Sequence, residues 1–183
     1  MECKTISLKS IEVFILIFIA LISDIKTYKI KNNLILVFII IGIITNCILA
    51  GKIGLMNSLL GIIIPVAILF SLFAASMLGA GDIKVFSAIG SIMGIRFAIH
   101  TIIYSFLWGG VISLAIIVIR KNRKQRLKYL YDYLKSCILT LSIVPYTNFD
   151  EKNEGDKFQF AYAIVLGTVL QVIFNYSGFD LFL

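Results

Sequence analysis

Long apolar runs separated by short charged segments constrain this chain more than any other feature of its sequence. Hydrophobic residues make up 60% of its 183 residues and the mean hydropathy is +0.99, whereas soluble domains are usually about 45–50% apolar. A run that faces lipid must satisfy its backbone hydrogen bonds internally, and runs of about 20 residues do so as helices. The sequence therefore predicts an all-α, polytopic membrane protein with a single domain over residues 1–183.

Six transmembrane helices are predicted from these runs. Lys9 and Glu12 lie three residues apart in the first, so they are predicted to pair on one helical face. Pro65 is predicted to kink the third, and Gly90 and Gly94 in the fourth have the GxxxG spacing of closely packed helices. The six predicted spans are Ile6–Ser23, Leu34–Ala50, Leu55–Leu78, Ile83–Ile99, Thr101–Ile119 and Phe160–Tyr176.

The positive charges predict the orientation. With the N-terminus outside, the cytoplasmic connections are 24–33, 79–84 and 120–158, and they hold thirteen of the 17 Lys and Arg residues, as the positive-inside rule requires. The third connection contains an amphipathic pattern over 126–141, which predicts a helix lying on the membrane surface, with a short buried segment as the alternative. The net charge of +7 is thus explained by topology, and no nucleic-acid partner is expected.

Two aspartates border the apolar runs. Asp24 ends the first run, and Asp82 follows Gly79-Ala80-Gly81 at the start of the fourth. Two further crossings separate them, so both are predicted at the cytoplasmic face. A carboxylate costs about 2.5–3.5 kcal/mol at the centre of a membrane helix and less near the interface, so such a residue needs a partner or a function. The alternative is structural: Asp82 caps a helix and Asp24 marks an interface.

Two carboxylates that share one proton can hydrolyse a peptide bond without a metal. Like charges a few Å apart raise one pKa and lower the other, so one group activates water while the other polarises the carbonyl. Gly79 and Gly81 would permit close backbone approach or a positive φ, and a position near a helix N-cap would favour ionised Asp82. No metal or cofactor is expected, because HExxH is absent and Cys3, Cys47 and Cys137 lack CxxC spacing.

Two segments resemble one known family. GAGDIKVFSAIG, from Gly79 to Gly90, resembles the GxGDxK segment of type IV prepilin peptidases, and DIKTYKIKN, from Asp24 to Asn32, resembles their first-aspartate segment. Lys31 stands where the family commonly has proline. The resemblance implies that Asp24 and Asp82 are the two catalytic aspartates, and Lys84 matches the motif lysine, which with Gly79 and Gly81 would support the site.

The resemblance also implies a function. It is that of a small, peptidase-only membrane aspartic endopeptidase, which removes the basic leader from prepilin-like precursors at the cytoplasmic face of the cell membrane. Its partners would be a precursor with a hydrophobic N-terminal helix and the bilayer, and the sequence leaves open whether a homo-oligomer forms. The alternatives are an intramembrane aspartic protease of the presenilin or signal-peptide-peptidase type, and a non-catalytic transporter or assembly subunit whose carboxylates carry protons or cations.

Overall fold

A computed structural model describes residues 2–27, 32–75, 77–119 and 160–177 of the chain. Every element in these residues is an α-helix, which confirms the predicted all-α class for this part of the protein. In chain order the helices are α1 (Glu2–Thr27), α2 (Asn32–Ala74), α3 (Ala80–Met93), α4 (Ile95–Ile119) and α5 (Ala161–Ser177).

Two of the described helices are long and apolar enough to cross a membrane. They are α2, with a mean hydropathy of 2.7, and the stretch Ile95–Ile116 of α4, with 1.7. The core helix of a soluble protein would be mostly buried, whereas only 17% of the apolar window of α2 and 28% of that of α4 are buried. Apolar surface left open on this scale indicates a membrane protein. The number of crossings stays a prediction.

Two glycines with positive φ, Gly51 and Gly94, interrupt the helical backbone of the described residues. Gly51 interrupts α2 with φ 57° and ψ −135°, at the predicted boundary between the second and third spans. The non-helical backbone of α2 is therefore at Gly51, while Pro65 lies buried within the helix. The predicted boundary between Ile99 and Thr101 is wrong: α3 ends at Met93, and Gly94 with φ 92° separates it from α4. A positive φ at this value favours glycine, so one residue is sufficient to end a helix.

The core of the bundle is the packing of α2 against α3. A Cβ atom at Gly61 would overlap the carbonyl oxygen of Gly90, and one at Gly42 would lie 2.7 Å from the hydroxyl of Ser91. The two backbones thus touch where side chains are missing, and α3 is buried from Val85 to Ile92. The close-packing prediction is confirmed for Gly90, whereas Gly94 forms the turn after α3.

The other helices pack around this pair. Helix α1 buries Val13, Leu16, Ile17 and Ala20 in the same cluster as Phe86 of α3, and their spacing of three and four residues places them on one helical face. Helix α5 contributes Ile164 and Val172 to the cluster. Gly167 of α5 also lies directly against Ser105 of α4. Because α1 and α3 share this core, the end of α1 is positioned relative to the start of α3.

The chain divides into two compact units. The first comprises Met1–Gly109 and Gln159–Leu183 and contains the bundle, whereas the second comprises Gly110–Phe158. Of the second unit the structure describes only the end of α4, through residue 119. The single-domain prediction therefore stays a prediction. The predicted surface helix over 126–141 lies outside the described residues.

The contact between Gly61 and Gly90 leads to a stability prediction. Substituting Gly61→Ala should lower the free energy of unfolding by about 1–3 kcal/mol, because the added methyl group forces two packed backbones apart. Thermal unfolding in detergent would measure the loss. The matched control is Gly110→Ala, since no described atom lies within 4 Å of a Cβ there. Equal losses in the two variants would contradict the importance of this contact.

Candidate active site

Asp82 lies in the first turn of α3 and is held by a reciprocal pair of backbone contacts. Its own N–H donates to the carbonyl oxygen of Gly79 at 3.1 Å, and the N–H of Gly79 donates to Asp82 Oδ2 at 3.3 Å. Because these donors would otherwise lack partners at a helix N-terminus, the carboxylate also caps α3. The capping interpretation is thus correct as local structure, and it does not require a second acid.

Gly79 has a steric role at this turn. Its φ is −78°, and the described glycines with positive φ are Gly51 and Gly94, so neither Gly79 nor Gly81 uses the left-handed region. A Cβ atom at Gly79 would lie 3.1 Å from Asp82 Oδ2, a tight contact that would crowd the carboxylate. The glycine therefore leaves space for the side chain of Asp82, whereas the prediction concerned the approach of another backbone.

Asp24 lies near the C-terminal end of α1, one turn before Thr27. Its carboxylate is close enough that its negative charge raises the pKa of Asp82. The structure thus brings together two acids that are far apart in sequence, at the same end of the bundle, as the even number of predicted crossings requires. The C-terminal end of a helix dipole is negative, so this position does not favour an ionised Asp24.

Burial dominates the electrostatics of the pair. Both acids lie at the ends of predicted spans, and burial raises the pKa of Asp82 to about 6, opposed by the hydrogen bond from Gly79 and reinforced by the charge of Asp24. Burial also raises the pKa of Asp24. The predicted effect of the helix N-terminus is present, because the hydrogen bond from Gly79 lowers the pKa of Asp82, but burial outweighs it. Both pKa values are raised, whereas a shared proton predicts shifts in opposite directions. Desolvation disfavours both charged forms.

Lys84 connects the two sequence segments that contain the aspartates. Its Nζ donates to Asn32 Oδ1 at 2.7 Å, and Asn32 is the first residue of α2. This contact ties the first turns of α3 to the residue that ends the Asp24–Asn32 segment. Asn32 was not predicted as a site residue, although the segment contained it, because an exposed amide carries neither a charge nor a burial signal.

Some residues singled out from the sequence are not part of this site or are not described by the structure. Lys31 is outside the described residues. Cys47 is an exposed free thiol, while Cys137 falls in the undescribed segment. Within the described ranges, no three His, Cys, Asp or Glu side chains are grouped to hold a metal ion. Among the residues that the structure describes, the acids at this end of the bundle are Asp24 and Asp82.

One family model matches the chain. It is described as the type IV leader peptidase family and matches residues 11–114, which is more than half of the sequence. The matched part begins in α1, includes α2 and α3, and ends in α4, so it contains both aspartates, Asn32 and Lys84. No curated protein and no solved structure matches the chain significantly.

The raised pKa of Asp82 predicts that removing its charge stabilises the protein. Relative to an ordinary value of 3.8, a folded-state pKa of about 6 means that the folded protein binds this proton more tightly than the unfolded chain. The contribution of Asp82 to the free energy of unfolding is therefore fully present below pH 3.8 and is lost as the pH rises through about 6. We expect Asp82→Asn to raise the unfolding temperature at pH 8 and to have little effect at pH 4. An equal rise in unfolding temperature at both pH values would show that the effect does not come from the charge of Asp82.

Proposed function

The chain belongs to the type IV leader peptidase family, and on that premise we propose that it is a membrane aspartic endopeptidase in which Asp24 and Asp82 jointly activate a water molecule. The substrate would be a prepilin-like precursor with a basic leader and an apolar N-terminal helix. The observation that carries this proposal is that Asp24 and half-buried Asp82 lie at the same end of the bundle, close enough for the charge of Asp24 to raise the pKa of Asp82. A structural cap alone would not bring a second acid to this position.

The raised pKa of Asp82 indicates which acid donates a proton and which accepts one. Burial raises the pKa of Asp82 to about 6, so Asp82 is the group that holds the shared proton. Asp24, ionised, takes a proton from water as the water oxygen attacks the scissile carbonyl carbon, while Asp82 gives its proton to the carbonyl oxygen. When the tetrahedral intermediate collapses, the C–N bond breaks, the proton on Asp24 passes to the leaving amine, and one hydroxyl of the intermediate returns its proton to Asp82. No metal or cofactor takes part in this scheme.

The membrane arrangement is part of the proposal. We infer a multi-pass protein of the cell membrane with its active site facing the cytoplasm and six crossings. Lys26 and Lys84 are exposed at the end of the bundle that holds the acids, and basic residues near span ends favour the cytoplasmic side. A precursor whose apolar helix enters the bilayer would then present the bond after its leader at the level of the two carboxylates.

Removing either carboxylate tests the pair directly. Asp24→Asn or Asp82→Asn should each lower the cleavage rate of a precursor in detergent by about 10²–10⁴-fold, because each change removes one proton-transfer partner. The double variant should lose little more than either single variant, since the two residues act as a unit.

A matched Asp→Asn change elsewhere provides the control. Asp150→Asn alters an acid of the predicted cytoplasmic connection 120–158 and should leave the rate unchanged. Chelator should also leave it unchanged. If either aspartate variant cleaves at the normal rate, the two-carboxylate mechanism is wrong, whereas loss of activity with chelator would indicate a metal-dependent peptidase.

The shared proton also predicts a pH profile. As the pH rises through about 6, the pKa of Asp82, the proton that polarises the carbonyl is lost and kcat/KM should fall. At low pH kcat/KM should fall again, because protonated Asp24 cannot accept a proton from water. Initial rates across pH 4–9 would measure this bell-shaped dependence. A rate that still rises between pH 7 and pH 9 would exclude Asp82 as the proton donor.

A further inference from the structure

Four polar residues form a cluster far from the aspartates. We call Lys9, Glu12, Thr45 and Asn46 the polar cluster. Glu12 precedes Asp24 by twelve positions on α1, so at 1.5 Å per residue the two acids are separated by about 18 Å along the helix. The polar cluster therefore cannot touch the reacting atoms. Charged groups inside an apolar bundle are costly, so their presence requires an explanation that the peptidase site itself does not supply.

Asn46 joins the helix of Asp24 to the helix of Asp82. Lys9 Nζ donates to Asn46 Oδ1 at 2.7 Å, and Asn46 Nδ2 donates to the carbonyl oxygens of Ser91 at 2.8 Å and Ile92 at 2.9 Å. A lysine can only donate and a carbonyl can only accept, so the orientation of this amide is determined by its partners. One buried side chain of α2 thus links α1 with α3.

The carbonyl partners of Asn46 lie in the last turn of α3. Carbonyls there have no acceptor role within their own helix, and Ser58 Oγ donates to the same oxygen of Ser91 at 2.7 Å. Asn46 is only 3% exposed. Losing its amide would leave buried carbonyl groups with fewer donors, which is costly away from water. These hydrogen bonds therefore fix the position of the C-terminal end of α3, which is opposite to Asp82, along the axis of α2.

A second hydrogen bond holds α1 in the same register. Thr45 Oγ1 donates to Glu12 Oε1 at 2.9 Å. Lys9 and Glu12 are three residues apart on one face of α1, and each is bound to one of two consecutive residues of α2, which extends their predicted pairing into a link between helices. Moving α1 by one residue shifts it 1.5 Å and rotates it by about 100°, which would break both contacts.

The apolar contacts of α1 do not define this register equally well. Its buried face consists of Val13, Leu16, Ile17 and Ala20, and apolar contacts are non-directional. Between membrane helices they also lack the hydrophobic driving force available in water. Directional hydrogen bonds from charged groups discriminate against slipped arrangements, because a slip leaves a charge without its partner.

From this arrangement we propose that Asn46, together with Lys9 and Glu12, is a set of positioning residues that keeps α1 and α3 in the register at which Asp24 meets Asp82. The proposal rests on the proposed peptidase function for its effect on catalysis. Its geometric part, the separation of positions 24 and 82, does not depend on that function. The polar cluster acts on the active site through the rigid helices that connect the two ends of the bundle.

Cleavage kinetics form the first test. Asn46→Leu and Lys9→Met should lower kcat by about 10–100-fold with little change in KM, because a displacement near 1 Å is enough to cost this much. Lys9→Arg retains the donor and the charge and should keep most of the activity. The matched controls are Asn57→Leu and Lys52→Met, which change the same residue types at exposed positions of α2 and should leave both constants unchanged.

Cross-linking forms the second test and does not require activity. In a chain with Cys3→Ser, Cys47→Ser and Cys137→Ser, the substitutions Asp24→Cys and Asp82→Cys would supply two thiols that a short bismaleimide joins in membranes. We expect Asn46→Leu and Lys9→Met to reduce the cross-linked fraction several-fold, and Asn57→Leu to leave it unchanged. If Asn46→Leu prevents folding, Lys9→Met provides the comparison, because it leaves the bonds from Asn46 to α3 in place.

The outcomes separate this inference from the proposed function. Unchanged cross-linking in Lys9→Met and Asn46→Leu would overturn the inference whether or not the protein cleaves a precursor. Reduced cross-linking with normal kcat would also overturn it, since the separation would then not matter for catalysis. If the wild-type protein cleaves no precursor while both substitutions alter cross-linking, the proposed function fails and the register role of the polar cluster stands.

Discussion

The backbone contact between α2 and α3 at Gly61 and Gly90 is the interaction on which the rest of the described bundle depends. In an apolar environment the burial of more apolar surface contributes little between helices, so close packing of small residues has to supply the attraction. A missing Cβ on each side allows the two backbones to touch. Helix α3 is consequently buried over most of its length, and Asp82 at its first turn has a defined position.

The acidic pair is arranged at a cost in stability. Burial opposes ionisation of both Asp24 and Asp82, whereas the hydrogen bond that the Gly79 N–H donates favours ionised Asp82. A protein selected only for stability would place apolar side chains here. Acids whose charged forms are disfavoured by burial are common at functional sites, and the tie between Lys84 and Asn32 adds a polar contact that joins the segments carrying them.

The hydropathy profile and the predicted number of membrane crossings were informative because both depend on long stretches of the chain. The apolar runs indicated helices, and the predicted boundary between the second and third spans contains Gly51, where α2 is interrupted. The predicted even number of crossings between Asp24 and Asp82 indicated that both acids lie at one end. The predicted boundary between the fourth and fifth spans was wrong because Gly94 lies inside the mostly apolar stretch 83–99, which was predicted as one span. A hydropathy profile averages over many residues, whereas a single glycine with φ 92° is sufficient to redirect the backbone.

The amino-acid sequence alone determined the helical class, the family resemblance and the choice of Asp24 and Asp82 as candidate acids, since these depend on composition, order and local spacing. Tertiary structure decided that Asn32 binds Lys84, that Asn46 links α1 with α3, and that burial raises both pKa values. These features depend on which atoms meet after helices distant in sequence have packed. Hydrogen-bond partners and solvent exclusion are set by that packing, and no spacing along the chain encodes them.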